Sequence, residues 1–382
     1  MDSHRVSGNA ATATLLFALS LLVCWLAARD FMKMWRDDVL VPLPEYRRIM
    51  LSDYLPKLAG TPVDTPVFIQ DSGRPGAAVM VLGGTHPNEP SSFLSAVVLL
   101  ENARVEAGRL IVVPFAMHAG FRHNFPQEAS PSFLHFTLPD GSERVFRYGS
   151  RDMQHILMWP GPDIYKHKPS GQELSGNENK NLNRSYPGDP NGTLAEQLGF
   201  AIMELIRREN VDLAFDLHEA SPEYPVIDAI VAHERSMELA AAVAMELKGM
   251  DIEIRLEPSP KNLRGLSHRE WGDGTDTLPI LMETANPSQG RLRGRTDEAL
   301  ALTGKDKAYA KARDMGNLFI PYSNGDQPVA LRVARHLTAI RLFLEMLGLF
   351  HEGKDIVVEG IPHYEDMIAK GVGYYLKPLP ID

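Results

Sequence analysis

The chain has 382 residues, 44% of them hydrophobic, and a formal net charge of −10 at neutral pH. That is enough apolar material for one large core, and the acidic balance argues against a general nucleic-acid binder, which needs a basic surface to displace counterions. The single cysteine, Cys24, excludes an intrachain disulfide framework and a cysteine-rich metal site, so any metal must be held by histidine and carboxylate.

The first element in chain order is the uncharged run Ala10–Ala28, set between a short tail (residues 1–9) and a connector (29–62). At roughly 18 residues it lies at the short end of what spans a hydrocarbon core. Trp25 and Leu26 are too bulky for a small-x-small cleavage site, so the run is expected to stay as a single-pass N-terminal membrane anchor rather than leave as a signal peptide. Arg29, Lys33 and Arg36 follow the span and only Arg5 precedes it, which leans towards a cytoplasmic body. N-terminal anchors also serve to export the domain behind them, so the side of the membrane stays open.

Pro42–Pro62 reads as a proline-containing connector with a short helical patch around Tyr46–Leu58. The body then alternates strand and helix. Predicted strands are Val67–Gln70, Ala77–Leu82, Arg109–Ala116, Leu213–Leu217, Val226–Ala232 and Leu278–Met282; predicted helices are Ser91–Arg104, Leu194–Glu209, Glu234–Lys248 and Val329–Leu347. Short continuous apolar runs fit strands covered on both faces. Their alternation with helices predicts an α/β fold, a largely parallel sheet between helices. Residues 121–181 break the pattern with a hairpin-like piece, Phe136–Phe146, and many polar residues. So long a loop is usually functional or structured in its own right, and it reads as a lid or wall over a site, with a surface excursion as the alternative.

Four short stretches carry chemistry. Gly83-Gly84-Thr85-His86-Pro87-Asn88-Glu89-Pro90 places an imidazole and a carboxylate three residues apart in the turn leaving a strand. That spacing lets two side chains bind one metal ion from the same loop or first helical turn, and Pro87 and Pro90 suit a loop entering a helix N-terminus. A third ligand, His218, is predicted at the end of the strand Leu213–Leu217. Three N/O ligands leave a fourth position open for water, the coordination of a catalytic zinc rather than a structural one. Asn181-Leu182-Asn183-Arg184 offers amides beside a planar, permanently charged fork, which suits a substrate carboxylate or a developing oxyanion. Glu283, at the end of an apolar strand, is costly there unless paired or functional. Beside a dication it can take a proton from water and deliver it to a leaving nitrogen.

Taken in order, G-G-x-H-x-x-E-P, then R-L-I-V-V-P-F-A, N-x-N-R-x-Y-P-G, D-L-H and a strand-end Glu resemble the succinylglutamate desuccinylase/aspartoacylase family, within the zinc carboxypeptidase-like hydrolases. The series covers most of Ala77–Leu347. The resemblance implies a mixed, mainly parallel sheet flanked by helices and one Zn2+ ion held by His86, Glu89 and His218. It also implies substrate contact by Asn183 and Arg184 and a Glu283 general base and acid, with Arg184 helping to polarise the carbonyl. It makes 63–350 a zinc hydrolase domain, with 121–181 inserted and 351–382 a C-terminal extension. The expected substrate is a small acyl amino acid or peptide, with no nucleic acid partner.

Three departures stand out. Ala116-Met117-His118-Ala119-Gly120 replaces the family's usual Asn-Pro, the long 121–181 segment leaves Arg122 and Arg151 as rival substrate arginines, and the membrane span is not typical of soluble metabolic enzymes. The leading reading is an N-acyl amino acid deacylase cleaving an amide or ester. Alternatives are a membrane-anchored carboxypeptidase acting on peptides or cell-wall stems, and a non-catalytic binding protein. Asp216, two positions before His218 and so on the same strand face, is expected either to orient that histidine or to cap buried structure. Glu219 is expected to face away, and His118, His123, His155, His167 and His268 are assigned to no metal.

Overall fold

Why the site lies where it does follows from how each strand divides its side chains between two cores. A computed structural model describes residues 3–123, 131–320, 322 and 326–380, in two units that divide between Asp38 and Val39. The first unit is the helix α1 (Ser3–Lys33); its stretch Asn9–Lys33 is long and apolar enough to cross a membrane, a test that a signal sequence also passes. Its large apolar side chains, Leu15, Leu16, Phe17 and Leu22 among them, are exposed.

The second unit runs β1 (Arg47–Met50), β2 (Pro66–Asp71), β3 (Ala78–Leu82), α2 (Pro90–Asn102), β4 (Arg104–Ala107) and β5 (Arg109–Val113). Two hairpins follow, β6 (Phe133–Thr137) with β7 (Glu143–Arg147) and β8 (Ile164–Lys166) with β9 (Glu173–Ser175). Next come α3 (Leu194–Arg208), β10 (Leu213–Ala220), β11 (Ala229–Ala232), α4 (Met237–Gly249), β12 (Arg255–Pro258), α5 (Ser267–Gly274) and β13 (Leu278–Ala285). The chain closes with α6 (Glu298–Thr303), α7 (Lys307–Asp314), α8 (Val329–Phe350), β14 (Val357–Glu359) and α9 (Tyr364–Lys370).

Eight strands form one mixed sheet in the order β1-β2-β5-β3-β10-β13-β11-β12. Its centre, β5-β3-β10-β13, is parallel, as is β11 with β12, while β1-β2, β2-β5 and β13-β11 are antiparallel. Side chains alternate across it with period two. Val79, Val81, Leu213, Phe215, Leu217, Ile280 and Met282 enter a core with α2, α4 and α8. Met80, Leu82, Ile111 and Ala214 enter a second core with α3 and Trp271 of α5. The expected fold class is the observed one, helices covering both faces of the sheet.

Several boundaries differ from the sequence reading, β11 and β5 among them being three residues shorter than expected, and three differences have a physical reason. The patch around Tyr46–Leu58 is not a helix. Arg47–Met50 pairs with β2 as the edge strand of the sheet, and two short 3-10 turns, Leu51–Asp53 and Pro56–Leu58, follow it. Leu51, Tyr54, Leu55 and Leu58 do share one buried face at helical spacing, but Pro56 interrupts a continuous hydrogen-bonded helix. Residues 29–62 are therefore not merely a connector. The extension 351–382 likewise supplies β14, paired with β4, and α9, packed on α8. Finally, β10 and β13 run three residues past their apolar stretches, to Ala220 and Ala285, because their backbones keep pairing through the polar residues. His218 and Glu283 thus stand inside strands, not beyond them.

The 121–181 segment also divides differently from a lid, its residues 124–130 lying outside the described ones. The expected hairpin is there, but Leu134, Phe136 and Phe146 pack into the α2 core. Arg144 of that hairpin forms a buried ion pair with Glu101 at 3.0 Å. Among the described residues of the segment only Arg151 lines the pocket that His86 and Glu283 also line.

Candidate metal centre and pocket

Gly83 and Gly84 make the turn after β3 possible. A Cβ on Gly83 would lie 2.7 Å from the Ser92 carbonyl of α2, and Gly84 has φ +69°, a conformation open to glycine at little cost. The turn returns the chain so that Glu89 takes the N-cap position of α2 without a side-chain capping bond, leaving its carboxylate free to face the histidines, with Pro90 at the first helical position. His86 and Glu89 point to the sheet, where β10 presents His218 on the same side as Ala214 and Asp216. The three predicted ligands come together: their ligand atoms lie within 4.8 Å of one another, and all three residues are buried.

The hydrogen-bond geometry fixes which atoms converge. His86 Nδ1 is 2.8 Å from Glu89 Oε1, His218 Nδ1 is 3.0 Å from Glu89 Oε2, and the two Nδ1 atoms are 3.1 Å apart. The opposite nitrogens face oxygens: His86 Nε2 lies 3.0 Å from Asn181 Oδ1, and His218 Nε2 lies 2.9 Å from Asp216 Oδ2. The His86–Asn181 contact has hydrogen-bond geometry, whereas the His218–Asp216 contact is an ion pair whose Nε2 lacks an aligned acceptor. With a metal at the common point, both rings would carry their proton at Nε2 and turn the Nδ1 lone pair to it. Asp216 is itself held by the hydroxyls of Thr85, at 2.7 Å, and Ser267. The Glu219 backbone N–H donates to Glu89 Oε2 at 3.0 Å. Asn181 is the orienting residue that the sequence reading passed over; it lies in the same motif as Asn183, and only the tertiary contact separates the two.

Charge around the cluster is unevenly shared. Burial, helped by the Arg151 cation, pushes His86 down to about 4. Burial acts the same way on His218, but the Asp216 and Glu89 carboxylates outweigh it and raise the group well above its ordinary value. For Glu89 burial is outweighed by the two imidazoles, which hold it well below the usual range. Arg151 Nη1 stands 3.2 Å from both His86 Nδ1 and Glu89 Oε1, so a cationic group already sits against the convergent atoms. Two imidazole lone pairs and a carboxylate, each steadied by a second partner, fit a zinc donor set.

A pocket of about 460 Å³ opens beside the cluster. His86, Arg151, Asn183, Arg184 and Glu283 line one end. Glu283 is the register partner of His218 on the adjacent strand, so their side chains share a face. Burial first, and then the Glu89 charge, push Glu283 up to about 8 against the opposing pull of His218 and Arg151. Among the described residues no donor reaches its enclosed Oε2. Arg184 Nη1 donates to the Asn183 carbonyl at 2.6 Å, and its nearest carboxylate, Glu178, is 3.7 Å away. Asn183 is committed in part: its Oδ1 accepts the Ser267 N–H at 2.8 Å, tying the motif to α5. Of the two rival arginines, Arg151 reaches the pocket, and Arg122 is not among its lining residues. Glu219 turns to the opposite face of the sheet, where Arg332 takes its carboxylate. His268, which also lines the pocket, is bonded to Ser259.

No protein-family model matches the chain, and no curated protein matches it. Solved structures similar to it include an aspartoacylase family protein from Mesorhizobium loti, at 18% identity over 64% of this chain and 62% of that one, TM-score 0.38. A second is a succinylglutamate desuccinylase/aspartoacylase from Rhodobacter sphaeroides, at 16% over 67% and 61%, TM-score 0.39. A third is the tripeptide-bound cell shape determinant Csd4 of Helicobacter pylori, at 13% over 77% and 56%, TM-score 0.44. The chain thus spans less than two thirds of the length of each. The first two bear the family names that the order of motifs suggests, and the chemistry rests on this chain's own residues.

Proposed function

We propose that the chain is a zinc-dependent hydrolase that cleaves the amide, or ester, bond of a small carboxylate-bearing substrate, in the manner of an N-acyl amino acid deacylase. One observation carries this reading: both histidines turn their Nδ1 atoms to a single buried carboxylate, with Asn181 Oδ1 and Asp216 Oδ2 at 3.0 and 2.9 Å from their Nε2 atoms, and Glu283, whose enclosed Oε2 has no partner among the described residues, stands beside them in a pocket. His86, Glu89 and His218 would hold the ion, and Asp216 and Asn181 would fix the two rings. Zinc bound there supplies a Lewis acid for a carbonyl and lowers the pKa of water.

The remaining work falls to side chains. Burial holds Glu283 mostly protonated without the ion; a dication beside it would favour the carboxylate, which would then accept the proton of the attacking water and pass it to the departing nitrogen. Arg184, half-buried at the pocket wall and only loosely paired, presents its fork to the substrate carboxylate or to the developing oxyanion. Asn183 holds that fork against α5 through Ser267 and offers its amide beside it. The pocket's size suits a small acyl amino acid better than an extended peptide, which supports the deacylase over the carboxypeptidase reading. The N-terminal helix would tether the enzyme to a membrane as a single-pass anchor. The deciding assay presents zinc-loaded full-length protein with a panel of N-acyl amino acids and short peptides. Hydrolysis of the acyl amino acids is expected, and turnover of peptides alone would replace this reading with the peptidase.

A further inference from the structure

The pocket reaches beyond the reaction centre, and its far part has a different character. On the pocket face the sheet order places side chains in a row. His218 is followed by its register partner Glu283, then Leu281 of the same strand face with its partner Val231, then Val231's own partner Glu257. At about 4.8 Å per strand, three strand spacings carry this floor roughly 14 Å sideways from β10 to β12. The loop before α5 closes over it with Pro260, Leu263 and Leu266.

Charge is distributed as unevenly as polarity. Both guanidinium groups in the lining belong to the reaction end: Arg151 stands against His86 and Glu89, and Arg184 feels the charges of Arg151 and Glu283. The basic side chains of the closing loop are engaged elsewhere, Lys261 with Glu234 at 3.1 Å and Arg264 with Glu270 and Asp273 at 2.7 Å each. Among the described lining residues over β11 and β12 the one ionised side chain is Glu257, a carboxylate. A second anion brought there would lose its hydration against valine, leucine and proline and meet a like charge; Arg255, two residues before Glu257 on β12, is not in the lining and gives its guanidinium to the Pro225 and Phe319 carbonyls.

We infer that this far part is a selectivity pocket for an apolar chain, so the substrate bears one carboxylate, met at the arginine end, and an aliphatic or aromatic chain over β11 and β12. Dicarboxylic acyl amino acids are discriminated against. The inference rests on the hydrolase reading for the bond cleaved, but not for which groups bind.

Hydrolysis-resistant probes separate the two questions. Full-length zinc-loaded protein is titrated calorimetrically with N-hexylsulfonylglycine and with its analogue whose terminal methyl is oxidised to a carboxylate. The alkyl probe is expected to bind roughly tenfold or more tightly than the carboxylate probe. The Leu263→Arg variant, changed on a half-buried loop, should tighten the carboxylate probe at least about threefold and leave N-methylsulfonylglycine as in the parent. Glu257→Gln should move the carboxylate probe the same way, to a lesser extent. A second pair with the apolar or acidic group on the amino acid, N-methylsulfonylnorleucine and N-methylsulfonylglutamate, tells whether the acyl chain or the side chain fills the pocket. Equal or tighter binding of the dicarboxylic member in both pairs, or no binding of either apolar probe, overturns the inference. Tight binding of an apolar probe without hydrolysis of any acyl amino acid leaves the pocket as described and removes the hydrolase.

Discussion

Adjacent residues of two neighbouring strands meet opposite fates in this molecule. His218 and Glu283 face the pocket; Glu219 and Thr284, the next residue on each strand, face the α2 and α8 side. The far-side pair is fully engaged. Glu219 is held by Arg332, both side chains being 0% exposed, and by Asn286 at 3.0 Å, while Thr284 meets Ser91 and His336. On the pocket side Glu283 keeps an enclosed oxygen without a partner. Of these two pairs, only the pocket-side one leaves an enclosed carboxylate oxygen without a partner among the described residues. Buried polar groups are normally hydrogen-bonded, so the exception marks where chemistry is expected and the rule marks where structure is kept.

That contrast is sharpest for Glu283→Gln. Turnover should fall about 10²–10⁴-fold, with zinc content and unfolding free energy close to those of the parent. Near-normal turnover in a steady-state assay would falsify the assignment. His86→Ala and His218→Ala should instead lose the ion itself, as metal analysis of the purified variants would show. On the other face, Arg332→Met should leave Glu219 buried and unpaired and cost about 3–5 kcal/mol in urea unfolding. A loss much below that range would mean the far side is as loosely held as the pocket side.

Asp216 stands on the pocket face, 2.9 Å from His218 Nε2. Asp216→Asn should weaken zinc affinity about 10–100-fold in a competition titration, less than loss of a ligand and more than a surface change. The smallest effect is on pH. Burial holds His268, on the pocket side, and His336, on the far side, to about 3. The unfolded chain protonates both below about 6.5 while the folded chain does not, so stability should fall as pH drops from there towards 3. The slope is at most about 1.4 kcal/mol per pH unit for each group. Denaturant unfolding at several pH values checks it, and His268→Gln should make the slope shallower by one such contribution.

What the sequence by itself determined was local. Apolar runs of strand length and amphipathic stretches of helix length placed the central elements, and Gly83-Gly84 with Pro90 marked the turn that sets His86 and Glu89 three residues apart. His218 and Glu283 were legible as candidates because ionisable residues are rare at the end of buried runs. The tertiary structure alone decided whatever depends on residues far apart in the chain. It chose Arg151 over Arg122, gave Asn181 rather than Asn183 to His86, and made an edge strand of Arg47–Met50. It also carried β10 and β13 past their apolar stretches and laid the hairpin of residues 133–147 on the α2 core instead of over the pocket. Spacing along a chain encodes the reach of neighbours; which distant side chains share a face is set only when strand register and packing are complete.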